Sequence, residues 1–355
     1  MIRSGILRLA AVFIICLTVI LYNFNNLLKT EITELENPVF QGEKETVLLP
    51  EKSEETETES TVSKAETVTS KLEETSSQNS NQTSVEASAQ AIKGKIISKY
   101  ISPYNTSPNY SKVYLKNNAG LKLDLKNLLE GNLKLKLKNS SSPQVLIMHT
   151  HTTESYMEEE KEYYTENFNS RNTDNSKNMV KIGSIIAEKL NSAGIKTLHD
   201  KTQHDNPQYS GSYSRAAKTI KGYLEKYPDI KIVLDIHRDS VTSDNGDKTK
   251  LVTEINGKKA AQVMLVMGSQ SGSITDYPNW QENLKLAVKL QQKLETDHPT
   301  LARPILLMSK KYNQNLTTGS LLLEFGTDVN TLSEACYSAQ LVGDSLAKLL
   351  NNLKE

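Results

Sequence analysis

From Pro143 to the C-terminus, short apolar runs alternate with segments of helical periodicity, and this alternation constrains the fold more than any other feature of the sequence. Strands are predicted at 145–148, 195–198, 230–236, 263–267, 305–308 and 321–325. Helices are predicted at 178–191, 214–227, 280–294 and 332–353. The alternation indicates one α/β domain over residues 143–355, with a mostly parallel sheet that carries helices on both faces.

The N-terminus carries a candidate membrane anchor. Arg3 and Arg8 precede or border an apolar stretch at 9–22, which approaches the roughly 20 residues that span a bilayer. The flanking arginines place the N-terminus in the cytoplasm and the later residues on the extracytoplasmic side. No Ala-x-Ala-like cleavage site follows the stretch, so residues 1–29 are predicted to form an uncleaved, single-pass transmembrane helix rather than a signal peptide.

Two segments connect this anchor to the α/β domain. Residues 43–76 hold ten acidic and four basic side chains and no aromatic ones, a composition that buries too little apolar surface to order the chain. Residues 30–95 are therefore predicted to be a disordered, acidic linker rich in Ser and Thr. Residues 96–142 contain period-two alternation at 121–125 and 133–137, which predicts a small β-rich lead-in packed on the main domain.

Charge and cysteine content exclude several classes of function. Basic and acidic residues number 42 each, so the zero net charge argues against a nucleic-acid-binding protein. Cys16 and Cys336 are the only cysteines, which excludes a zinc module built on cysteines and a disulfide framework. Residues 96–355 carry a net charge of +5, which suits an anionic polymer as a partner.

Ionisable side chains follow three of the apolar strands. Residues 149–154 follow the first strand, residues 235–239 end the third, and Glu324 lies in the last. A charge beside a buried strand is costly unless it is paired or bound to metal. Because sites in such sheets lie beyond the carboxyl ends of the strands, these side chains are predicted to meet in one functional site.

The residue types in this set are those of a catalytic zinc site. His151 and Glu154 form an H-x-x-E pair, and His237 from a distant strand supplies a third ligand. Three protein ligands plus water is the usual form of catalytic Zn²⁺, which lowers the pKa of the water and polarises a carbonyl. Glu324 is the candidate general base and later proton donor. His149 stays open as an alternative ligand, because on an extended strand it faces the same side as His151.

Three more residues are candidates for substrate binding. Tyr213 and Arg215 lie in a loop, 209–215, that is rich in Ser, Gly and Tyr and is typical of an active-site rim. Arg238 is able to bind a substrate carboxylate bidentately. A structural ion pair of Arg238 with Asp235 or Asp239 is the competing interpretation.

Several segments resemble the stage II sporulation protein P family, and the resemblance runs from about residue 113 to the C-terminus. They are VLIMHTHTTESY (145–156), HDKTQHD (199–205), GSYSR (211–215), LDIHRDS (234–240) and LLEFGTD (322–328). The catalytic domain of that family is similar to zinc N-acetylmuramoyl-L-alanine amidases of the amidase-3 type. By this resemblance, His151 and His237 match the histidine ligands and Glu324 the catalytic glutamate. The ligand glutamate of amidase-3 enzymes lies farther from the first histidine than Glu154 does, so His149 and His204 stay open as alternatives.

The resemblance implies zinc-dependent hydrolysis of the amide between N-acetylmuramic acid and L-alanine in peptidoglycan, with an additional endopeptidase activity on cross-links. It also implies degradation of the septal wall at the engulfing membrane during sporulation, together with stage II sporulation proteins D and M. The residues alone indicate an exported, membrane-tethered zinc hydrolase. The alternatives are a non-catalytic cell-wall-binding scaffold and a metallopeptidase of the carboxypeptidase type.

Overall fold

The computed structural model describes residues 91–354 as two β-sheets and five α-helices. The strands are β1 (Ile92–Lys99), β2 (Asn109–Tyr110), β3 (Val113–Asn117), β4 (Val145–Met148), β5 (Tyr163–Thr165), β6 (Thr197–His199), β7 (Ile232–Asp239), β8 (Lys248–Ile255), β9 (Lys258–Ala261), β10 (Val263–Gly268), β11 (Ile305–Met308) and β12 (Ser320–Thr327). The helices are α1 (Leu125–Glu130), α2 (Met179–Ser192), α3 (Ser212–Lys226), α4 (Trp280–Asp297) and α5 (Leu332–Asn351).

Most of the N-terminal predictions concern residues that the structure does not describe. The predicted anchor at 1–29, and the predicted linker up to residue 90, lie outside the described part of the chain. The last residues assigned to the linker belong to β1, which begins at Ile92. None of the helices between residues 91 and 354 has the length and apolar character that crossing a bilayer requires.

The larger sheet has eight strands in the order β2-β3-β11-β10-β12-β7-β4-β6. Strands β12, β7, β4 and β6 run parallel to one another, as do β10, β11 and β3. The two blocks meet antiparallel at β10 and β12, where Val263 lies opposite Phe325. The prediction of a mostly parallel sheet is therefore wrong, because the sheet is mixed.

A hairpin explains the reversal. Strands β8 and β9 pair antiparallel, with Ala261 at the end of β9 opposite Val252, so the chain runs back along β8 towards the end of β7. Gln262 alone separates β9 from β10, and β10 therefore enters the sheet in the direction opposite to β7. A crossover helix would instead have returned the chain to the start of β7 and kept the strands parallel.

Helices cover both faces of this sheet, as predicted. On one face α2, α4 and α5 pack on one large apolar cluster that includes Ile147, Ile186 and Leu346. On the other face α3 packs on Leu146 and Met148. A strand buried on both faces has no polar side, which is why the apolar run at 145–148 is continuous.

The lead-in differs from its prediction. Strand β1 lies in a second sheet, of order β5-β1-β8-β9, and β3 joins the edge of the main sheet beside β11. The strands predicted at 121–125 and 133–137 are wrong, since the first stretch ends in α1 and the second makes one bridge, from Leu137 to Lys354. In the second stretch a side chain takes the place of a neighbouring strand as hydrogen-bond partner of the backbone. The N–H of Lys134 donates to Glu282 Oε2 (3.1 Å).

The packing between α2 and α5 gives a test of the core. Replacing Ile186, which is fully buried, with alanine is expected to lower the free energy of unfolding by about 2–5 kcal/mol, because a cavity forms between the helices and the sheet. The matched control is Ile97→Ala on β1, where the side chain is 41% exposed, with an expected loss below about 1 kcal/mol. Urea denaturation measures both, and equal losses would contradict the assignment of this core.

Candidate metal centre

The site lies at the edge of the sheet where β4, β7 and β12 end. These three strands are parallel neighbours, and their carboxyl ends therefore meet. His237 lies in β7 directly beside Glu324 of β12 in the strand register. The chain leaves β4 at Met148 and turns back on itself, and the backbone N–H of Glu154 donates to the carbonyl of His151 (3.1 Å) in this turn.

Three side chains come together as a group able to hold a metal ion. His151, Glu154 and His237 each offer one ligand atom, and these atoms all lie within 4.8 Å of one another. Glu154 Oε2 lies 3.5 Å from His237 Nδ1. Two ligands of one tetrahedral zinc, with bonds of about 2.0–2.2 Å, lie roughly 3.4 Å apart. The spacing and the donor set of two imidazoles and a carboxylate therefore fit Zn²⁺.

Two buried polar atoms at this site have no hydrogen-bond partner. Among the residues that the structure describes, the buried atoms without a hydrogen bond include His237 Nε2 and Glu324 Oε2. Buried polar atoms are normally paired, and an exception at a candidate site is consistent with an ion or water there. His237 Nε2 does lie 2.8 Å from Asp235 Oδ1, at an ion-pair distance, although the orientation is not that of a hydrogen bond.

The charges around His237 favour a positive charge at this point. Burial by itself lowers the pKa of His237, but the carboxylates of Asp235 and Glu154 outweigh burial and raise the pKa well above its ordinary value. Burial alone would raise the pKa of Glu154, whereas His237 and Arg238 hold it below its usual range. The site therefore contains an ionised carboxylate beside an imidazole, an arrangement that stabilises a bound cation.

Glu324 differs from Glu154 in its surroundings. Burial raises the pKa of Glu324 to about 8, opposed by His237 and reinforced by the carboxylates of Asp239 and Glu154. The side chain lines the same cavity, of about 200 Å³, as the three candidate ligands. A carboxyl group that exchanges its proton near neutral pH is suited to general acid–base chemistry.

His151 is held in its orientation from two sides. Ser212 Oγ at the start of α3 lies 3.3 Å from Nδ1, and the ring of Tyr209 stacks on the imidazole at 4.5 Å with an angle of 13° between the planes. Because the rings are nearly parallel, the Tyr209 hydroxyl, 3.2 Å from Nε2, lies above the imidazole plane and leaves the in-plane lone pair free. Burial lowers the pKa of His151 to about 4, so the ring stays neutral, as a metal ligand must be.

The two alternative ligands lie outside this group. The ring of His149 lies 3.0 Å from the carbonyl of Ile236 through Nδ1 and 2.9 Å from His199 Nε2 through Nε2. His204 Nδ1 lies 2.8 Å from the carbonyl of His149, and its Nε2 lies 2.9 Å from Thr219 Oγ1. Both nitrogens of each ring are engaged, so neither histidine offers a free ligand atom. The expectation that His149 faces the same side as His151 is wrong, because β4 ends at Met148 and the chain turns.

The predicted rim residues have different surroundings. Arg215 donates through Nε to the carbonyl of His204 (2.6 Å) and through Nη1 to that of Ser210 (3.0 Å), which supports its own loop. The ring of Tyr213 meets that of His151 edge-on at 5.6 Å, and the buried hydroxyl of Tyr213 has no hydrogen-bond partner.

Arg238 lines the cavity, but its guanidinium is buried against the backbone. It donates through Nε to Ser155 O (3.2 Å), through Nη2 to Ser170 O (2.9 Å) and through Nη1 to Asp239 O (3.4 Å). The carboxylate of Asp239 instead pairs with Arg303 (2.8 Å). The guanidinium therefore joins its own strand to the segments of Ser155 and Ser170 beside the cavity.

Residues 23–347 match the family model of stage II sporulation protein P (SpoIIP). The chain belongs to this family. The resemblance seen in the sequence motifs is thereby confirmed. Stage II sporulation protein P of Bacillus subtilis (strain 168) is 30% identical over 216 residues, which cover 58% of this chain and 50% of the relative. The chain thus spans about half the length of the curated relative that it matches.

Solved structures give a looser likeness. An N-acetylmuramyl-L-alanine amidase of Mycobacterium abscessus is 12% identical with a TM-score of 0.34, over 59% of this chain and 99% of that chain. An N-acetylmuramoyl-L-alanine amidase of Clostridium difficile 630 is 17% identical with a TM-score of 0.33, over 60% of this chain and 95% of that chain. TM-scores in this range indicate too little shared geometry to support a statement about activity.

The structure joins Asp205, which ends the 199–205 motif, to two residues that lie in none of the motifs, Arg171 and Tyr209. Arg171 pairs through Nη1 with Asp205 (2.5 Å), and its guanidinium lies over the ring of Tyr209 at 4.7 Å. Asp205 also accepts from the backbone N–H of Thr153 (3.1 Å), between His151 and Glu154. Arg171 lies in a long polar segment without periodicity, so the sequence offered no signal that would have placed it here.

The contacts of Arg238 predict a structural role that stability measurements detect. Arg238→Met is expected to lower the free energy of unfolding of the metal-free protein by on the order of 3 kcal/mol, because three carbonyls lose a buried, charged donor. Lys177→Met is the control, since its ion pair with Glu158 lies on the surface and its loss is expected to leave stability unchanged within error. An Arg238→Met protein as stable as the wild type would show that the guanidinium does not support the site.

Proposed function

We propose that this chain is a zinc-dependent cell-wall hydrolase that cleaves the amide between N-acetylmuramic acid and L-alanine in peptidoglycan during sporulation. The observation that carries this proposal is the buried group of His151, Glu154 and His237, with ligand atoms within 4.8 Å of one another and Glu324 in the same cavity. Membership of the stage II sporulation protein P family supports the cell wall of a sporulating cell as the setting.

His151, Glu154 and His237 would hold the zinc. When bound, zinc supplies Lewis-acid polarisation of a carbonyl and a coordinated water of lowered pKa. Neighbouring side chains support the proposed ligands: Ser212 and Tyr209 hold the ring of His151, and Asp205 holds the turn between His151 and Glu154.

Glu324 carries the proton in this proposal. Oε2 accepts a proton from the attacking water as the oxygen adds to the carbonyl carbon of the amide. The same carboxyl then gives that proton to the nitrogen as the carbon–nitrogen bond breaks, which leaves a carboxylic acid on the lactyl group of the sugar and a free amino group on L-alanine. The burial that raises the pKa of Glu324 to about 8 matches both half-reactions, because the group both accepts and releases a proton near neutral pH.

The substrate would enter from the open side of the cavity. Tyr209, Arg171 and Ser240 line this cavity, and the guanidinium of Arg171 lies over the ring of Tyr209. The ring of Tyr213 meets that of His151 edge-on and its hydroxyl has no hydrogen-bond partner, and we assign Tyr213 to the positioning of substrate or water. From the resemblance to the family, we further propose that residues 1–29 anchor the chain in the membrane with its catalytic part on the extracytoplasmic side. We also propose that stage II sporulation proteins D and M are its partners.

Two variants separate metal binding from catalysis. His237→Ala is expected to lose both bound zinc and amidase activity, because one of three ligands is removed. Glu324→Gln is expected to keep about one zinc per chain and to lose roughly 10²–10⁴-fold in kcat, because the side chain of glutamine cannot accept the proton of the attacking water. Metal content by atomic spectroscopy and peptide release from purified cell wall measure these effects. Full activity in His237→Ala, or none in zinc-loaded wild type, would refute the proposal.

The released fragments identify the bond that is cleaved. An amidase leaves a new L-alanine amino terminus on the released peptide, whereas a carboxypeptidase-type enzyme releases single amino acids from the C-terminus. An endopeptidase activity would instead separate cross-linked stems. Mass spectrometry of wild-type digests is expected to show stem peptides that begin with L-alanine. Digests that contain only free amino acids, or unchanged wall despite tight binding, would favour the peptidase or the scaffold.

A further inference from the structure

The imidazoles of His149 and His199 form a hydrogen-bonded pair, and neither residue lines the cavity of the candidate metal centre. Ser184 Oγ lies 3.4 Å from His199 Nδ1, His199 Nε2 lies 2.9 Å from His149 Nε2, and His149 Nδ1 lies 3.0 Å from the carbonyl of Ile236. A carbonyl only accepts, so His149 carries its proton on Nδ1. His149 Nε2 then accepts from His199, whose Nδ1 accepts from the Ser184 hydroxyl.

This pair is built into the packing of α2. A Cβ on Gly183 would lie 2.7 Å from His199 Nε2 and 2.8 Å from His149 Nε2, closer than side-chain atoms approach in proteins. Glycine is unfavourable within a helix, and its presence here is explained by the two rings that press against the helix backbone. The helix therefore clamps the hydrogen bond between the two imidazoles.

His149 contacts both chain segments that carry the candidate ligands. Its ring donates to Ile236, the residue before His237 in β7. Its own carbonyl oxygen accepts from His204 Nδ1 (2.8 Å) and from the Thr152 hydroxyl (3.0 Å), within the turn that follows β4. The separation between β7 and this turn thus depends on one fully buried residue.

We propose that His149 is a positioning residue for the metal centre, in which its ring holds the backbone of β7 beside His237 and its carbonyl holds the turn after β4. The inference rests on the proposed zinc site but not on the identity of the bond that is cleaved. Residues that orient metal ligands through hydrogen bonds contribute about 10–100-fold to metal affinity, and an effect of that size is expected here.

Two amide substitutions isolate the hydrogen bond to Ile236. In His149→Asn the side-chain nitrogen takes the place of Nδ1 and keeps the donation to Ile236. In His149→Gln it takes the place of Nε2 and reaches towards His199 instead. Zinc affinity, measured by competition with a chromogenic chelator, is expected to fall about 10–100-fold in His149→Gln and His149→Ala and only a few-fold in His149→Asn. The visible absorption of bound Co²⁺ reports distortion of the ligands and is expected to change in the same order.

His298→Ala is the control for loss of an imidazole, because His298 lies at the end of α4 and its Nε2 makes no hydrogen bond.

If His149→Ala does not fold, the comparison of the Asn and Gln variants decides. If these two also fail, Gly183→Ala presses on the same rings and is expected to weaken zinc binding. Equal zinc affinities in the Asn and Gln variants, or wild-type affinity in all of them, would overturn the inference. A wild type that binds no zinc refutes the proposed function as well, whereas an active wild type with unaffected variants refutes only the role of His149.

Discussion

The burial of four ionisable side chains in one small cavity is the constraint on which the rest of this structure depends. His151, Glu154, His237 and Glu324 are all at most 6% exposed, and burying charged groups is costly unless they are paired or bound to metal. Their compensation comes from other buried groups, above all Asp235 beside His237 and Arg238 beside Glu154. Removal of one partner from such a buried arrangement typically costs about 3–5 kcal/mol, so the surrounding residues serve stability and site geometry together.

The parallel block of the mixed sheet, in which β12 lies beside β7, makes this concentration possible. The reversal through the β8–β9 hairpin sends β10 and β11 in the opposite direction, and β12 then returns between β10 and β7. As a result Glu324 lies beside His237 in the register although 87 residues separate them in the sequence. A long stretch of chain is therefore used to place one carboxyl group next to one imidazole.

The sequence predicted the interior of the domain well because burial on both faces leaves a strong signal. The strands at 145–148 and 305–308 agree with β4 and β11, and the helix predicted from residue 280 begins at Trp280. Strand β8 was missed because its sequence, KTKLVTEI, lacks an apolar run. The leucines at 133–137 alternate with polar residues as in a strand. The backbone of this stretch, however, makes one bridge and otherwise bonds to a side chain instead of a neighbouring strand. Hydrogen-bond partners decided both cases: β8 pairs with β9 and with the distant β1, and the N–H of Lys134 donates to Glu282.

The histidines show the same limit within the site. The residue types and their positions at the ends of predicted strands were sufficient to predict that His151, Glu154 and His237 meet. The structure places their ligand atoms within 4.8 Å of one another. Periodicity did not separate His149 from His151, because the outcome depends on where β4 stops and on the close approach of Gly183 to the His149 ring. Arg171 was missed, since it pairs with Asp205 of the 199–205 motif from a segment that carries no periodic pattern.

The most direct test of the account is the location of zinc in a crystal of the loaded protein, by anomalous X-ray scattering at the zinc absorption edge. The account predicts one strong peak among His151, Glu154 and His237, with Glu324 close to the open coordination position and His149 still bonded to Ile236. A peak at His149, His199 or His204, or no peak in protein that retains its activity, would contradict it.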